Sequence, residues 1–238
     1  MPNLRPSLVP IGIMAALAIL PYGAPAADDL ATVFSSLDKA AAGFRGLSAD
    51  VHKVKHTSLI PDDDIQTGKI LVRRSKPHEL QMRVDFDPPD QQQVVLDGTK
   101  AEIYYPKRNS ITPYILGKAS RPMAEQLLLL GWGTSSQDLK NTFEITYGGQ
   151  EMVTGQKTAR LELIPKDKDL LAHVPKFELW VSEDGPAAGT AVQVKFYERG
   201  GKDYSIATYT NVKLQNISES QVKLTAPKNA LREKPIHL

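Results

Sequence analysis

A cysteine-free chain of 238 residues with a formal net charge of +2 is long enough for one ordinary domain or two small ones. It has no disulfide staples, no thiol nucleophile and no cysteine to lipidate. Near-neutral charge also argues against a nucleic-acid partner, which would want a concentrated basic face.

Residues 1–26 read as a removable leader. Arg5 gives a short basic region, Leu8 to Leu20 is mostly apolar though broken by Pro10 and Gly12, and Ala24-Pro25-Ala26 has the A-x-A cleavage pattern. The apolar core is too short for a membrane span, so the expectation is export by a cleavable signal peptide. An uncleaved anchor is the alternative. Export without disulfides fits a bacterial periplasm. No second stretch long enough to cross a bilayer follows, and no repeat or low-complexity linker divides residues 27–238, which read as one domain.

Asp28-Asp29 can cap a helix in which Leu30, Val33, Phe34, Leu37, Ala41 and Phe44 recur at three- and four-residue steps. Gly43 and Gly46 bracket its end. The period then changes to two: Leu47, Ala49 and Val51 share one face of a strand, and Ser48, Asp50 and His52 the other. A loop at Pro61–Asp64 precedes strands over 68–74, 80–86, 93–96, 101–105 and 111–116, with Asp97-Gly98 as a hairpin turn. Ser120 and Pro122 can start a helix over 123–130, which Gly131 stops, and residues 135–141 suit one more short helical turn. Strands resume over 143–147, 158–164, 177–181, 192–197, 204–214 and 222–224. The expected class is therefore α+β, with roughly ten or eleven strands and two or three helices, too few to cover so large a sheet tightly. Either the sheet curls on itself or a cavity remains between sheet and helices, and a strongly curved, unclosed antiparallel sheet with helices across its concave face would fit.

Catalytic and metal signatures are weak. No G-x-S-x-G is present. Gly131 to Ser136, GWGTSS, starts like a phosphate loop but follows a helix and lacks both a third glycine and a suitably placed lysine. His52 and His56 would suit a metal on a helix, but in an extended chain they stand roughly 13 Å apart. Asp62 to Asp64 lack the rest of a calcium loop, and Pro165 to Asp169 reads the same way, as a solvated turn. The expectation is no enzyme, no cofactor and no metal site.

What remains is apolar surface on a curved sheet. Ile70, Val72, Met82, Val84, Phe86, Val95, Ile103 and Tyr105, with Leu127 and Leu128 from the helix, are the candidates to line a cavity between sheet and helices; an ordinary core is the alternative, since periodicity does not tell the two apart. One cation joins them. Period two groups Ile70 and Val72 with Arg74, whereas Arg73 shares the other face with Lys69 and Leu71. A guanidinium among apolar residues is costly unless it is hydrogen-bonded, and its five donors suit carbonyls at a helix end or loop.

GKILVRRSKP, then FDPPDQQQVVLDGTKAEIYYP, then TNVKLQNISESQVKLTAPKNA resemble, in order and spacing after a signal peptide, the LolA family of periplasmic carriers of outer-membrane lipoproteins. LSADVHK (Leu47 to Lys53) stands where that family has its first strand. The resemblance implies an eleven-stranded half-barrel with helices as a lid over a cavity for lipoprotein acyl chains. It implies cargo received from a LolCDE-type inner-membrane ABC transporter and passed to a LolB-type outer-membrane acceptor, by a carrier that works as a monomer. The family's functional arginine matches Arg74. Ser75-Lys76-Pro77 departs from the arginine-proline common in the family, which leaves Arg73 as the fallback. The related fold also serves lipid-sensing regulators of the cell envelope, usually with a second domain, and that is the alternative function.

Overall fold

Leu30, Val33, Phe34, Leu37 and Ala41 form one stripe of a helix, Phe44 extends it just past the helix end, and the strand that follows turns Leu47, Ala49 and Val51 toward that stripe. The two apolar surfaces together make the centre of one core cluster. A computed structural model describes residues 26–76, 79–98, 100–115 and 130–237. Residues 1–25 of the expected leader, residues 123–129 of the helix expected over 123–130, and with them Leu127 and Leu128, lie outside the described residues.

Helix α1 spans Ala26–Gly43. The strands are β1 Gly46–His56, β2 Asp64–Lys76, β3 Glu79–Phe86, β4 Gln92–Asp97, β5 Lys100–Tyr105 and β6 Ser110–Ile115. Helix α2, Ser136–Thr142, leads into β7 Phe143–Val153 and β8 Gln156–Pro165. Helix α3, Lys168–His173, precedes β9 Lys176–Ser182, β10 Ala191–Tyr197 and β11 Tyr204–Leu214. Two-residue strands β12, Leu231–Arg232, and β13, Ile236–His237, close the list.

All thirteen strands belong to one sheet, in the order β12-β6-β5-β4-β3-β2-β1-β11-β10-β9-β8-β7, with β13 also on β6. β1 pairs with β11 and so joins the two meanders, β2 to β6 and β7 to β11, at the centre. β7 does not meet β12, and the curved sheet stays open as a half-barrel. Every long pair is antiparallel; β12 and β13 lie parallel to β6. The described residues thus hold two more strands than the eleven expected, both only two residues long and both on the tail.

Two sequence-based expectations need correction. Residues 222–224 are not a strand. A 3-10 turn, Glu219–Val222, stands there and buries Val222, because the tail crosses the outer face of β2 and β3 rather than adding to the sheet at that point. Arg83 donates to the Lys223 carbonyl and the Thr225 hydroxyl, and Gln93 accepts from the Thr225 N–H. Nor is Pro165 to Asp169 a plain solvated turn: Asp167 accepts from the Leu170 N–H at 2.8 Å and caps α3, whose Leu170 is buried in the core.

Beyond the centre, Ala159, Leu161 and Leu163 of β8 and Phe177, Leu179 and Val181 of β9 face the core. Arg160, Glu162, Glu178 and Trp180 alternate onto the outer face. Glu178 is only 4% exposed even so. Lys176 donates to it at 3.0 Å, the Tyr197 hydroxyl at 2.9 Å and Arg160 at 3.3 Å. Burial works to raise the Glu178 pKa, but the hydrogen bonds from Lys176 and Tyr197 and the charges of Lys176 and Lys195 outweigh it and hold the carboxyl below its ordinary value.

Candidate binding site

α1 ends without a basic residue in its last turn, which leaves carbonyls at the negative end of its dipole in need of donors. β2 supplies one. Arg74 sits one step past Val72 on the same face, opposite Leu80 of β3, and reaches under the helix end. Its Nη1 donates to the Ala41 carbonyl at 3.0 Å, and its Nη2 donates to the Gly133 carbonyl. The guanidinium lies 5.4 Å from the centre of the Phe44 ring. Burial, and after it the neighbouring charge of Arg45, lower its pKa, while Asp138 opposes them. Arg74 thereby ties β2 to α1 and to the segment just before α2.

That segment is the GWGTSS stretch. Gly133 has φ +69, and a β-carbon there would meet both Arg74 and Phe44. Ser135 caps α2 in a capping box with Asp138. Asp38 of α1 accepts from the Ser136 N–H at 2.6 Å and from its hydroxyl at 2.8 Å. The two helices are thus pinned to each other beside the arginine. The glycines of GWGTSS serve a close approach of backbone to side chain.

Next to this junction lies an apolar cavity of about 320 Å³ between the concave face of the sheet and residues Leu130 and Trp132. Ile70, Met82, Val84 and Phe86 line it, from β2 and β3. Val72 shares their face but is wholly buried in the core beside them. Ile103 pairs with Val94, so Ile103 and Tyr105 share the inward face of β4 and β5, yet they stand on strands farther out and are not in the cavity wall.

Val95 is a correction. Val94, Val95 and Leu96 are a run of three apolar residues, and such a run does not reveal its own register. Pairing of Val84 with Val94 and Met82 with Leu96 turns those two inward and sends Val95 to the outer face with Arg83 and Gln93, where the tail passes. Arg73 also points outward and donates to Gln81 Oε1.

The far wall comes from β1, β10 and β11: Val51, Lys53, Val194, Phe196, Ala207 and Tyr209. Sequence reasoning missed these residues and Trp132 because it sought the cavity only in the first meander and the helix that follows it, and it missed Leu96 because the apolar run 94–96 hides its register. Trp132 is anchored by its indole N–H to the Ala191 carbonyl at 3.1 Å and meets Tyr209 edge-on at 4.6 Å. Burial pushes the Tyr209 phenol well above its ordinary range, so it stays neutral. Among the described residues no cluster of acidic, histidine or cysteine side chains has metal-site geometry, and no helix is long and apolar enough to cross a membrane.

No protein-family model matches the chain, and no curated protein sequence matches it. Solved structures do. An uncharacterized conserved protein of Thermus thermophilus is 12% identical with a TM-score of 0.51 over 88% of this chain and 99% of its own. MucB of Pseudomonas aeruginosa, in its complex with MucA, is 15% identical with a TM-score of 0.47 over 85% of this chain. The match spans 62% of that chain. A LolA superfamily protein of Nitrosomonas europaea is 14% identical with a TM-score of 0.40, over 84% of this chain and 99% of its own. At these identities the likeness is one of fold: an open, curved sheet with helices on its inner side.

Proposed function

We propose that this chain is a periplasmic carrier that shelters the acyl chains of lipoproteins between the inner and outer membranes. The observation that supports it best is the apolar cavity, walled by the concave face of a half-barrel and roofed by Leu130 and Trp132, beside a helix end held down by Arg74. A volume of about 320 Å³ is at the low end of the range for small-ligand sites. With a methylene about the size of a water, it takes on the order of ten methylenes. At about 0.8 kcal/mol each, that offsets roughly 8 kcal/mol of the cost of leaving a membrane.

A carrier must also let go. A roof held by a few polar contacts can open where a fully packed core cannot, and a ligand shifts that equilibrium only by binding one state better than the other. Arg74 is the residue in the right place to act as such a latch. On this reading residues 1–26 are removed on export and residues 27–238 act as one carrier domain. Cargo comes from a LolCDE-type transporter and goes to a LolB-type acceptor.

The test is release. The purified protein is incubated with inner-membrane vesicles that hold lipoprotein, the transporter and ATP. Lipoprotein should appear in the soluble fraction, bound to this chain. If it stays in the vesicles, the carrier reading fails, and copurified lipid without lipoprotein would point instead to an envelope sensor.

A further inference from the structure

Among the described residues that line the cavity, one carries a formal charge: Lys53. β1 sends Leu47, Ala49 and Val51 inward, and Lys53 continues that series. Across the sheet it pairs with Ala207, itself a wall residue, and on the other side with Gln66. Its ammonium lies 5.9 Å from the centre of the Phe86 ring. Its hydrogen bond goes to Gln66 Oε1 at 3.4 Å, near the limit for such bonds. Among the described residues no carboxylate forms an ion pair with it; Asp64 acts only through space, and Lys55 opposes Asp64. Burial is the largest influence and lowers its pKa.

The contrast with Arg74 is informative. Both cations sit on the concave face, and β2 separates Arg74 from Gln66, the partner of Lys53, by eight residues, about 26 Å of strand. Arg74 gives Nη1 and Nη2 to the carbonyls of Ala41 and Gly133, and only its buried Nε lacks a partner among the described residues. Lys53 has three donors and one long bond. Arg74, beside the cavity, is thus held by two carbonyls, whereas Lys53, in the cavity wall, has a single long bond. A neutral acyl chain ending in an ester or amide would leave Lys53 as it stands. A chain ending in a single negative charge would complete it. One ammonium on a flexible stem suits one carboxylate, whereas a doubly charged phosphate favours an arginine fork or several cations.

We propose that the cavity binds a free long-chain fatty acid, its chain against Val84, Phe86 and Phe196 and its carboxylate on Lys53 Nζ. This rests on the acyl-binding reading above and adds the head group.

The test compares palmitate with hexadecanol, which has the same chain and a neutral head. Each competes at neutral pH for the purified protein against the neutral fluorophore N-phenyl-1-naphthylamine. Palmitate should displace the probe at roughly a tenfold lower concentration, the factor a single charge-assisted contact supplies. Lys53→Met should shrink that advantage to within about twofold, and Lys53→Arg should restore it. Equal displacement by the two ligands, or an advantage that survives Lys53→Met, overturns the head-group assignment and leaves acyl binding intact. A Lys53-dependent preference for lysophosphatidate over palmitate overturns the carboxylate assignment. Displacement by neither ligand overturns both the assignment and the acyl-binding reading.

Discussion

Arg74 and Gly133 are fitted to each other: the Gly133 carbonyl accepts from Arg74 Nη2, and a β-carbon on Gly133 would intrude on that same nitrogen. The side chain can lie there only because the facing residue has none. The same β-carbon would come within 2.7 Å of the Phe44 ring, and the backbone at φ +69 already favours glycine.

Gly133→Ala should therefore cost about 1–3 kcal/mol of stability, from strain at positive φ together with displacement of the arginine. Urea unfolding of the purified variant measures it. A variant within about 0.5 kcal/mol of the parent, the range usual for surface substitutions, would show that the junction yields freely.

Arg74→Ala removes both helix-end contacts and should cost about 1–3 kcal/mol while leaving the sheet folded. Hydrogen exchange should speed up over the C-terminal turn of α1 and around Ser135 and Ser136, and stay slow in β8 and β9, whose core residues are wholly buried. Arg74→Lys keeps a charge but loses the fork that reaches two carbonyls at once. It should fall nearer to alanine than to the parent. Because both residues serve one contact, the costs of Arg74→Ala and Gly133→Ala should not add in the double variant.

How far this site is legible in the sequence depends on where alternation is unambiguous. Leu80, Met82, Val84 and Phe86 alternate with polar residues, and all but Leu80, which is buried in the core, line the cavity. Arg74 stands out because it breaks an apolar face. Lys53 breaks the face of Leu47, Ala49 and Val51 in the same way, and that signal was equally available. Val95 is lost in an uninterrupted apolar run, where only the pairing with β3 sets the register. Phe196, Ala207 and Tyr209 alternate well enough, but their meeting with β3 depends on the long-range pairing of β1 with β11, which no local pattern encodes. Trp132 is hardest of all, since its position follows from Gly131, Gly133 and a contact with Ala191 59 residues away.

Glu178 sets an acid limit. Its folded pKa lies below the ordinary 4.5, so its contribution is fully present above that value and is lost as pH falls through the folded pKa. Glu178→Gln removes the charge that Lys176, Arg160 and Tyr197 surround. The variant should be less stable at neutral pH, and its stability should fall less steeply than that of the parent below about pH 4.5. Thermal unfolding followed from neutral to acid pH gives both curves. Parallel acid limbs would show that other carboxylates govern the decline.

The two tryptophans of the chain report opposite faces of the sheet. Trp132 walls the cavity against Tyr209, whereas Trp180 lies on the outer face with its N–H on Glu151 at 2.7 Å. An acyl chain carrying bromine atoms quenches an indole only in near-contact, so the ligand itself can mark which face it occupies. Binding of a dibrominated stearate should quench Trp132 and spare Trp180. Trp180→Phe should therefore keep the quench, and Trp132→Phe should abolish it. The reverse pattern would place the ligand on the outer face, where Arg160, Lys176 and Lys195 surround Glu178, and would remove the cavity as the acyl site. The choice of two conservative replacements matters: phenylalanine keeps most of the buried area at either position, so loss of the signal follows from loss of the indole and not of the fold.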